Sequence, residues 1–335
     1  MGPHKTARFV EVKMATTATY RPSKFGESSL GQAYEAFRLR CQAQNLSVGT
    51  CGWYDITVRC WNRFLEARGV TMAREVTPNL IRGYLEDMRG RKLASGYMRR
   101  TYGALRCYFG FLSRDRLIPQ NPFQLVEKPR MEQKLIQPLS MDQVRLLLAG
   151  LNQKFFPYHT VWTVMVLILD TGLRISEVID MRKDHVDFHG GVIRVMGKGG
   201  KERQVPFGTT AKQALWNYMA RRGDVPGQDL FFVNRFGGRL CRIWVQKAMR
   251  VLGRRVGVRG VRVSPHTLRH TFATNYIKNG GDAFSLQQIL GHSTLDMVKI
   301  YVRLADQEVA LLHRRFSPMD CMGVVPGGKR RVIVR

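Results

Sequence analysis

A segment rich in proline near the middle of the chain limits how the chain can fold. Residues Pro119 to Ser140 contain four prolines and show no sustained period of apolar residues. Because proline lacks the amide N–H that helices and central strands use, no regular element is expected to run through this segment. We interpret it as a linker, and a 335-residue chain then suits two domains of roughly 150 residues. The predicted organisation is a basic extension at 1–25, a first domain at 26–118, the linker at 119–138, a second domain at 139–316 and a tail at 317–335.

The first domain is predicted to consist of amphipathic helices, because apolar residues recur at three- and four-residue spacing from Leu30 to Leu112. Thr77 followed by Pro78 is the N-cap and first-turn pattern of a third helix, and a fourth helix is expected from about Ser95. Three predicted inner faces are Leu30, Tyr34, Phe37 and Cys41; then Trp53, Ile56, Cys60 and Phe64; then Leu80, Ile81, Tyr84, Leu85 and Met88. The aromatic residues, including Tyr102 and Tyr108, are interpreted as core residues.

The second domain is predicted to be mostly helical with one small β insertion. Ser140 to Gln143 has the pattern of a capping box that starts a helix. Residues 192–196 and 203–206 are short strand candidates, joined by the glycine-rich turn 197–202. Further helices are expected to start near Ala211, Leu240, His266, Ser285, Thr294 and Asp306. The fold class is therefore mainly α, with a small antiparallel β-sheet in the second domain.

The chain carries 54 Lys and Arg against 25 Asp and Glu, which gives a net charge of +29. A charge of this size indicates a polyanionic partner such as a nucleic acid. The content of 44% hydrophobic residues argues against a disordered basic tail, because it is enough to build cores. Both predicted domains carry an excess of basic residues, as expected of a protein that grips its partner from two sides.

Three sequence features indicate where in the cell the protein is located. The longest uncharged apolar run, Val161 to Leu169, is much shorter than the roughly 20 residues of a membrane-spanning helix. The first residues lack the apolar segment of a secretory signal. The six cysteines show no disulfide framework spacing. We therefore expect a cytoplasmic, nucleoid-associated protein with reduced thiols and no membrane partner.

Four short motifs carry most of the functional information. They are TGLRISE at 171–177, GKGGKER at 197–203, HTLRH at 266–270 and LGHSTLDMVKIY at 290–301. Each motif alone has a simple explanation as a salt bridge or a solvated face. In this order and spacing they resemble the tyrosine recombinase family, which includes phage integrases and Xer-like recombinases. The resemblance covers 139–316 closely, and it covers the first domain only as a helical core-binding domain.

The chemistry of phosphodiester cleavage fits these residue types without the family name. Cleavage without hydrolysis needs a nucleophile, cations for the non-bridging oxygens and an acid for the departing sugar oxygen. Arg174 and Arg269 suit the second task, because a planar guanidinium binds two phosphate oxygens at once. Tyr301 has to lose its phenolic proton to attack, and we expect neighbouring cations to favour that loss.

The resemblance implies a role for each site residue. Tyr301 would attack the scissile phosphate to form a 3′-phosphotyrosyl bond, and Lys198 would protonate the departing 5′-oxygen. His266 would be the acid–base partner of the tyrosine, His292 would hydrogen-bond the phosphate, and Glu177 would orient the site without direct participation. The resemblance further implies a tetramer on two double-stranded recombination sites, a Holliday junction intermediate, and neither metal nor cofactor. It allows accessory DNA-bending proteins as partners.

DNA contacts outside this site are expected on two sets of basic residues, mostly to phosphates. The candidates are Arg99, Arg100 and Arg106 in the first domain, and Lys201, Arg203, Arg239, Arg242, Lys247 and Arg250 in the second. The tail has two interpretations, as a disordered basic end or as a docking segment. On the second interpretation residues 303–335 dock on a neighbouring protomer, and residues 332–334 add a strand to its sheet.

Several alternatives remain open at this point. The turn could present Lys201 in place of Lys198. The spacings of His185 and His189, and of His266 and His270, would suit zinc, although no HExxH motif or cysteine partner accompanies them. The role could be that of a mobile-element integrase or transposase, or of a Xer-like resolvase. A type IB topoisomerase-like enzyme and a catalytically silent DNA-binding regulator are the competing functions.

Overall fold

The computed structural model describes residues 27–130, 137–197, 202–291, 298, 301, 313 and 317–322. The chain divides into two compact units, Met1–Lys134 and Leu135–Arg335, and this division falls inside the predicted linker. The extension at 1–25, the helix starts near Thr294 and Asp306, and residues 332–334 lie outside the described residues.

The first unit has a helical core. Its helices are α1 (Leu30–Ala43), α2 (Val48–Glu66), α3 (Pro78–Gly90) and α4 (Ser95–Arg114), with short 3₁₀ turns at Ala73–Glu75 and Pro122–Leu125. α3 begins as predicted, with the Thr77 hydroxyl accepting a hydrogen bond from the Leu80 amide at 3.4 Å. Tyr102 and Tyr108 are buried in the core of the first unit. Their interpretation as packing residues is confirmed.

The predicted inner face of α2 is only partly right. Phe64 is buried as predicted, but Ile56 is 54% exposed, and the helix also buries Val58, Trp61 and Leu65. α2 carries apolar residues on more than one side, so two stripes satisfy the helical spacing. The stripe that contains Trp61 is the one that reaches the core, where its ring packs edge-on against Tyr84 at 5.1 Å.

The first part of the predicted linker belongs to the first unit. Phe123 and Val126 are buried, and the Tyr102 hydroxyl donates to the Val126 carbonyl oxygen at 2.6 Å. Prolines suggested a break, but Pro122 opens a 3₁₀ turn that Asn121 caps. At the other end Leu139 is buried in the core of the second unit.

The second unit contains a longer set of helices and one small sheet. Its helices are α5 (Met141–Ala149), α6 (Phe156–Thr171), α7 (Ile175–Ile179), α8 (Thr209–Arg222), α9 (Arg242–Arg255), α10 (Pro265–Lys278) and α11 (Ala283–Leu290), with a short helix at Pro318–Cys321. The capping box predicted before α5 is present, with reciprocal bonds between Ser140 and Gln143. None of the described helices is both long and apolar enough to cross a bilayer.

The sheet has the order β1-β2-β3 and is antiparallel. Its strands are β1 (Val186–Asp187), β2 (Val192–Met196) and β3 (Glu202–Pro206). Ile193 pairs with Val205, and both side chains are buried. The hairpin of β2 and β3 is where the sequence predicted it, whereas β1 was not predicted.

Helix α6 lies at the centre of the second unit, packed against α8 and α10. Val161, Val164, Met165 and Ile168 are completely buried. The sequence does not predict a helix at this apolar run, because a helix buried on nearly every side has no polar face to reveal its period.

Candidate active site

One cleft in the second unit collects several of the predicted site residues. Its volume is about 1750 Å³, and Arg174, His266 and Arg269 line it together with Glu177 and Arg203. These residues come from α7 and the residue before it, from α10 and from β3, and Gly291 also lines the cleft, so each of the four motifs contributes at least one lining residue. Lys198, Lys201 and His292 lie outside the described residues.

The turn between α6 and α7 positions Arg174. It begins at Gly172, whose φ is +65° and where a Cβ atom would lie 2.5 Å from Cδ1 of Phe272. Only glycine combines that backbone conformation with so close a contact. Arg174 then caps α7, and its side chain is 41% exposed toward the cleft.

Glu177 joins two arginines. Its carboxylate accepts hydrogen bonds from Arg174 Nη1 at 2.9 Å, from the Arg174 amide at 2.8 Å, and from Arg203 Nη1 and Nη2 at 3.1 and 2.9 Å. Burial opposes ionisation of this carboxyl, but the bonds from Arg203 and Arg174 outweigh it and lower the pKa of Glu177 below its ordinary value. The carboxylate therefore stays charged at neutral pH.

Three arginines share the C-terminal end of α11. Arg203 Nε donates to the Ile289 carbonyl oxygen at 3.0 Å, and Arg269 Nη2 donates to that of Leu290 at 2.8 Å. Arg174 Nη2 lies 3.4 Å from the carbonyl oxygen of Gly291, which ends the helix. The last carbonyls of a helix have no intrahelical partner and carry its partial negative charge. They hold the guanidinium groups without cancelling their full charges, so the cleft stays attractive to an anion.

Helix α10 places His266 and Arg269 one turn apart. Ser264 caps the helix, because its Oγ accepts a hydrogen bond from the Thr267 amide at 3.2 Å, and Pro265 is the first helical residue, where proline is favoured. The spacing of three residues sets both side chains on the same face, and both line the cleft.

The two α10 residues have different charge states. Burial and the nearby Arg174 lower the pKa of Arg269 to about 10, so this side chain remains cationic at neutral pH. Partial burial, then Arg269 and Arg174, lower the pKa of His266 below its ordinary 6.5. His266 is therefore neutral near pH 7 and able to accept a proton.

Tyr301 lies in an apolar cluster, and the described residues that line the cleft do not include it. It is 7% exposed, among side chains that include Phe272 and Leu290, and its ring centroid is 4.9 Å from that of His270. Burial raises the pKa of Tyr301, and the opposing effect of Arg269 is smaller. Arg269 does favour loss of the phenolic proton, as expected of a neighbouring cation, but the desolvation of the phenolate outweighs it.

The candidate DNA contacts differ in what they touch. Arg100 lies over the Trp53 ring at 4.0 Å, and Arg239 pairs with Asp180 at 2.9 Å. The guanidinium of Arg203, also predicted to contact DNA, is occupied by Glu177 and Ile289. The others are Arg99, which is half-buried, and Arg106, Arg242, Lys247 and Arg250, which are exposed. Within the described residues no three His, Cys, Asp or Glu side chains come together as a metal site would need.

Comparison with known proteins agrees with this arrangement. A model of the phage integrase family matches residues 137–308. The chain belongs to the phage integrase family of tyrosine recombinases. A tyrosine recombinase XerC from Anoxybacillus flavithermus is 30% identical over 282 residues, which cover 82% of this chain and 93% of the relative. A tyrosine recombinase XerC from Pelobacter propionicus is 31% identical over 292 residues, covering 86% and 96%.

The fold is also found in solved structures. The Tn1549 transposon integrase, solved in complex with a circular intermediate DNA, superposes with a TM-score of 0.69 at 20% identity. The match covers 85% of this chain and 99% of that chain. The predicted fold class, mainly α with a small antiparallel sheet in the second domain, is confirmed.

Proposed function

We propose that this chain is a site-specific DNA recombinase that cuts and rejoins strands through a covalent bond to Tyr301. The observation that carries the proposal is the convergence of Arg174, His266 and Arg269, from separate chain segments, on one cleft of the second unit. Two cations and a neutral imidazole in a cleft are what a phosphodiester in its transition state requires. The relatives at 30% and 31% identity carry the name tyrosine recombinase.

The reaction exchanges one ester for another. The Tyr301 oxygen attacks the phosphorus atom while the bond from phosphorus to the 5′-oxygen breaks. The phenolic proton passes to His266, and Lys198 gives a proton to the departing 5′-oxygen. The product is a 3′-phosphotyrosyl ester and a free 5′-hydroxyl. Attack by the 5′-hydroxyl of a second strand reverses these steps, so rejoining needs no ATP.

The arginines contribute differently to the transition state. Arg174 is the more exposed of the two and presents its guanidinium to the non-bridging oxygens. Arg269 is 5% exposed and donates to the carbonyl oxygens of Gly172 and Leu290, so it acts mainly as a fixed charge at short range. His292 hydrogen-bonds the phosphate. Because its pKa is raised, Tyr301 remains a neutral phenol until a phosphate is bound.

The assembly follows from the same chemistry. Two duplexes must be cut and exchanged, which a tetramer achieves through a Holliday junction. The first unit acts as the core-binding domain, the basic residues of α4 and α9 contact the DNA backbone, and the tail docks on a neighbouring protomer. The relatives named XerC support a role as resolvase, and the transposon integrase supports a role in DNA integration. Accessory DNA-bending proteins fit either role, in the cytoplasm and at the nucleoid.

A suicide substrate tests the proposal. The cognate site is first mapped by footprinting on DNA adjacent to the encoding gene, and a duplex of that site is nicked next to the scissile phosphate. The wild-type protein is expected to form a protein–DNA adduct that survives detergent, and Tyr301→Phe is expected to bind DNA without forming it. Tyr276→Phe is the matched control, because its hydroxyl bonds Ser285 Oγ at 2.8 Å at the edge of the same apolar cluster.

Two outcomes contradict the proposal. One is the absence of any adduct on a site that the protein protects, which is the result expected of a silent regulator. The other is an adduct that persists in Tyr301→Phe. Joining of strands from two different duplexes separates a recombinase from a topoisomerase-like enzyme, which would only relax supercoils.

A further inference from the structure

The guanidinium of Arg203 is bound by protein groups along its whole length. Nε donates to the Ile289 carbonyl, while Nη1 and Nη2 form a bidentate pair with the two oxygens of Glu177. The side chain is 13% exposed. The turn at Gly291 lies directly against it, since a Cβ atom at that glycine would be 3.0 Å from Cζ of Arg203. To contact a phosphate through Nη1 and Nη2, Arg203 would have to break its hydrogen bonds to Glu177.

Arg203 determines how Glu177 meets Arg174. Nη1 of Arg203 and Nη1 of Arg174 both donate to Oε1 of Glu177, at 3.1 and 2.9 Å. A bidentate partner fixes the plane of the carboxylate, which otherwise rotates freely about its last bond. The Arg174 amide donates to the other oxygen at 2.8 Å. The direction of the Arg174 side chain therefore depends on a carboxylate that Arg203 holds in place.

The charge balance leads to the same point. One carboxylate between two guanidinium groups leaves the group of three with a net positive charge. If Arg203 were neutral, Glu177 and Arg174 would form a one-to-one pair with no net charge. The cleft would then lose much of its attraction for a phosphate at the place where Arg174 faces it.

We infer that Arg203 is a positioning residue for strand cleavage, which holds Glu177 so that Arg174 faces the cleft with its charge uncancelled. The inference rests on the proposed function and extends it to a residue that touches no substrate. It also means that Arg203 contributes to the rate of strand cleavage and not to the affinity for DNA.

The test compares cleavage with binding in Arg203→Lys and Arg203→Gln. Lysine keeps the positive charge but cannot form the bidentate pair with Glu177, while glutamine loses both the charge and the bidentate pair. The rate of adduct formation is measured in single turnover at saturating nicked substrate and normalised to the protein that binds DNA stoichiometrically. Arg203→Lys is expected to slow the adduct rate roughly 10- to 100-fold, the size of a lost hydrogen bond to a charged group. The Kd for DNA is expected to change less than about twofold, with an unchanged salt dependence.

Arg194→Lys is the matched control. Arg194 lies on β2 of the same sheet, opposite Gln204, and is exposed. Its guanidinium donates a hydrogen bond to the Asp184 carbonyl oxygen. Within the described part of the chain it forms no hydrogen bond with Arg174, Glu177 or Arg203. The adduct rate of this variant is expected to equal that of the wild type.

The pH profile separates positioning from loss of folded protein. In Arg203→Gln the Glu177 carboxyl loses its principal partner, so its protonation is expected to steepen the fall of the cleavage rate on the acid side, beyond the fall that protonation of His266 causes. Adding Glu177→Gln is expected to remove that extra fall. Partial unfolding would lower the amount of active protein and leave the profile of the remainder unchanged.

Three results would overturn the inference. They are an adduct rate in Arg203→Lys within about twofold of wild type, a salt slope for DNA binding that falls by about one, as for a lost phosphate contact, and a pH profile in Arg203→Gln that keeps the wild-type shape on the acid side. A wild-type protein that forms no adduct on its protected site refutes the proposed function itself. That result is read before any Arg203 variant is compared.

Discussion

Replacing Glu177 by glutamine tests the buried charge network most directly. The Glu177 side chain is 8% exposed and accepts four hydrogen bonds from Arg174 and Arg203. Glutamine has nearly the same shape, but its NH₂ group would face guanidinium donors, and two buried arginine interactions would lose their counter-charge. Breaking a buried ion pair on one side costs about 3–5 kcal/mol. For a unit of roughly 200 residues this corresponds to a fall in Tm of about 6–20 °C.

Calorimetry of the full chain measures this effect as the shift of the transition of the second unit. Asp180→Asn is the control, because Asp180 pairs with Arg239 at the surface, with side chains 56% and 60% exposed. An exposed pair contributes about 0–1 kcal/mol. Equal shifts for Glu177→Gln and Asp180→Asn would refute the conclusion that burial makes the Glu177 network strong.

The contribution of Glu177 to the free energy of unfolding is expected to decrease at acid pH. The pKa of Glu177 is lower in the folded chain than its ordinary 4.5, so its contribution to stability is complete above that value. The contribution is lost as the pH falls through the folded pKa. The difference in unfolding free energy between wild type and Glu177→Gln is therefore expected to shrink below about pH 4. A constant difference down to pH 3 would contradict this.

Three further predictions concern other parts of the second unit. Lys198→Ala is expected to slow adduct formation by at least about 100-fold and Lys201→Ala by less than about threefold; the reverse order would assign the acid to Lys201. His159, whose ring nitrogens have no hydrogen-bond partner among the described residues, is buried with a lowered pKa. His159→Phe is expected to raise the unfolding free energy by about 1 kcal/mol, and by more below pH 6.5, where the unfolded state gains a proton; urea denaturation at pH 5.5 and 7.5 checks both. Gly172→Ala is expected to cost about 2–4 kcal/mol, from the positive φ and the overlap with Phe272, and a Tm equal to wild type would contradict it.

The parts of the fold that the sequence predicted correctly are those that depend on residues close together in the chain. Examples are the caps before α3 and α5 and the strands of the β2–β3 hairpin. Helix α6 and the inner face of α2 depend on which apolar surface other elements cover. Tertiary packing determines which of these surfaces is buried, and the spacing of apolar residues in the sequence does not reveal it.

The candidate site was predictable to a similar degree. The motifs named Arg174, Glu177, His266 and Arg269, and the fold brings these residues together. The place of Arg203 could not be found, because an arginine next to a glycine-rich turn that carries two lysines looks like a DNA contact. The burial of Tyr301 was also missed, since the balance between desolvation and nearby cations depends on side chains that pack from distant segments.

The three carbonyl oxygens at the end of α11 have a consequence for how this chain can change. A peptide oxygen is present whatever side chain its residue carries, so substitutions at exposed positions of α11 leave the acceptors for Arg174, Arg203 and Arg269 in place. An inserted or deleted residue would instead rotate every later carbonyl by about 100° and shift it by about 1.5 Å along the axis. All three arginines would lose their acceptors together. The length of this helix therefore matters to the site as much as the buried Leu286 and Leu290, which pack it in place.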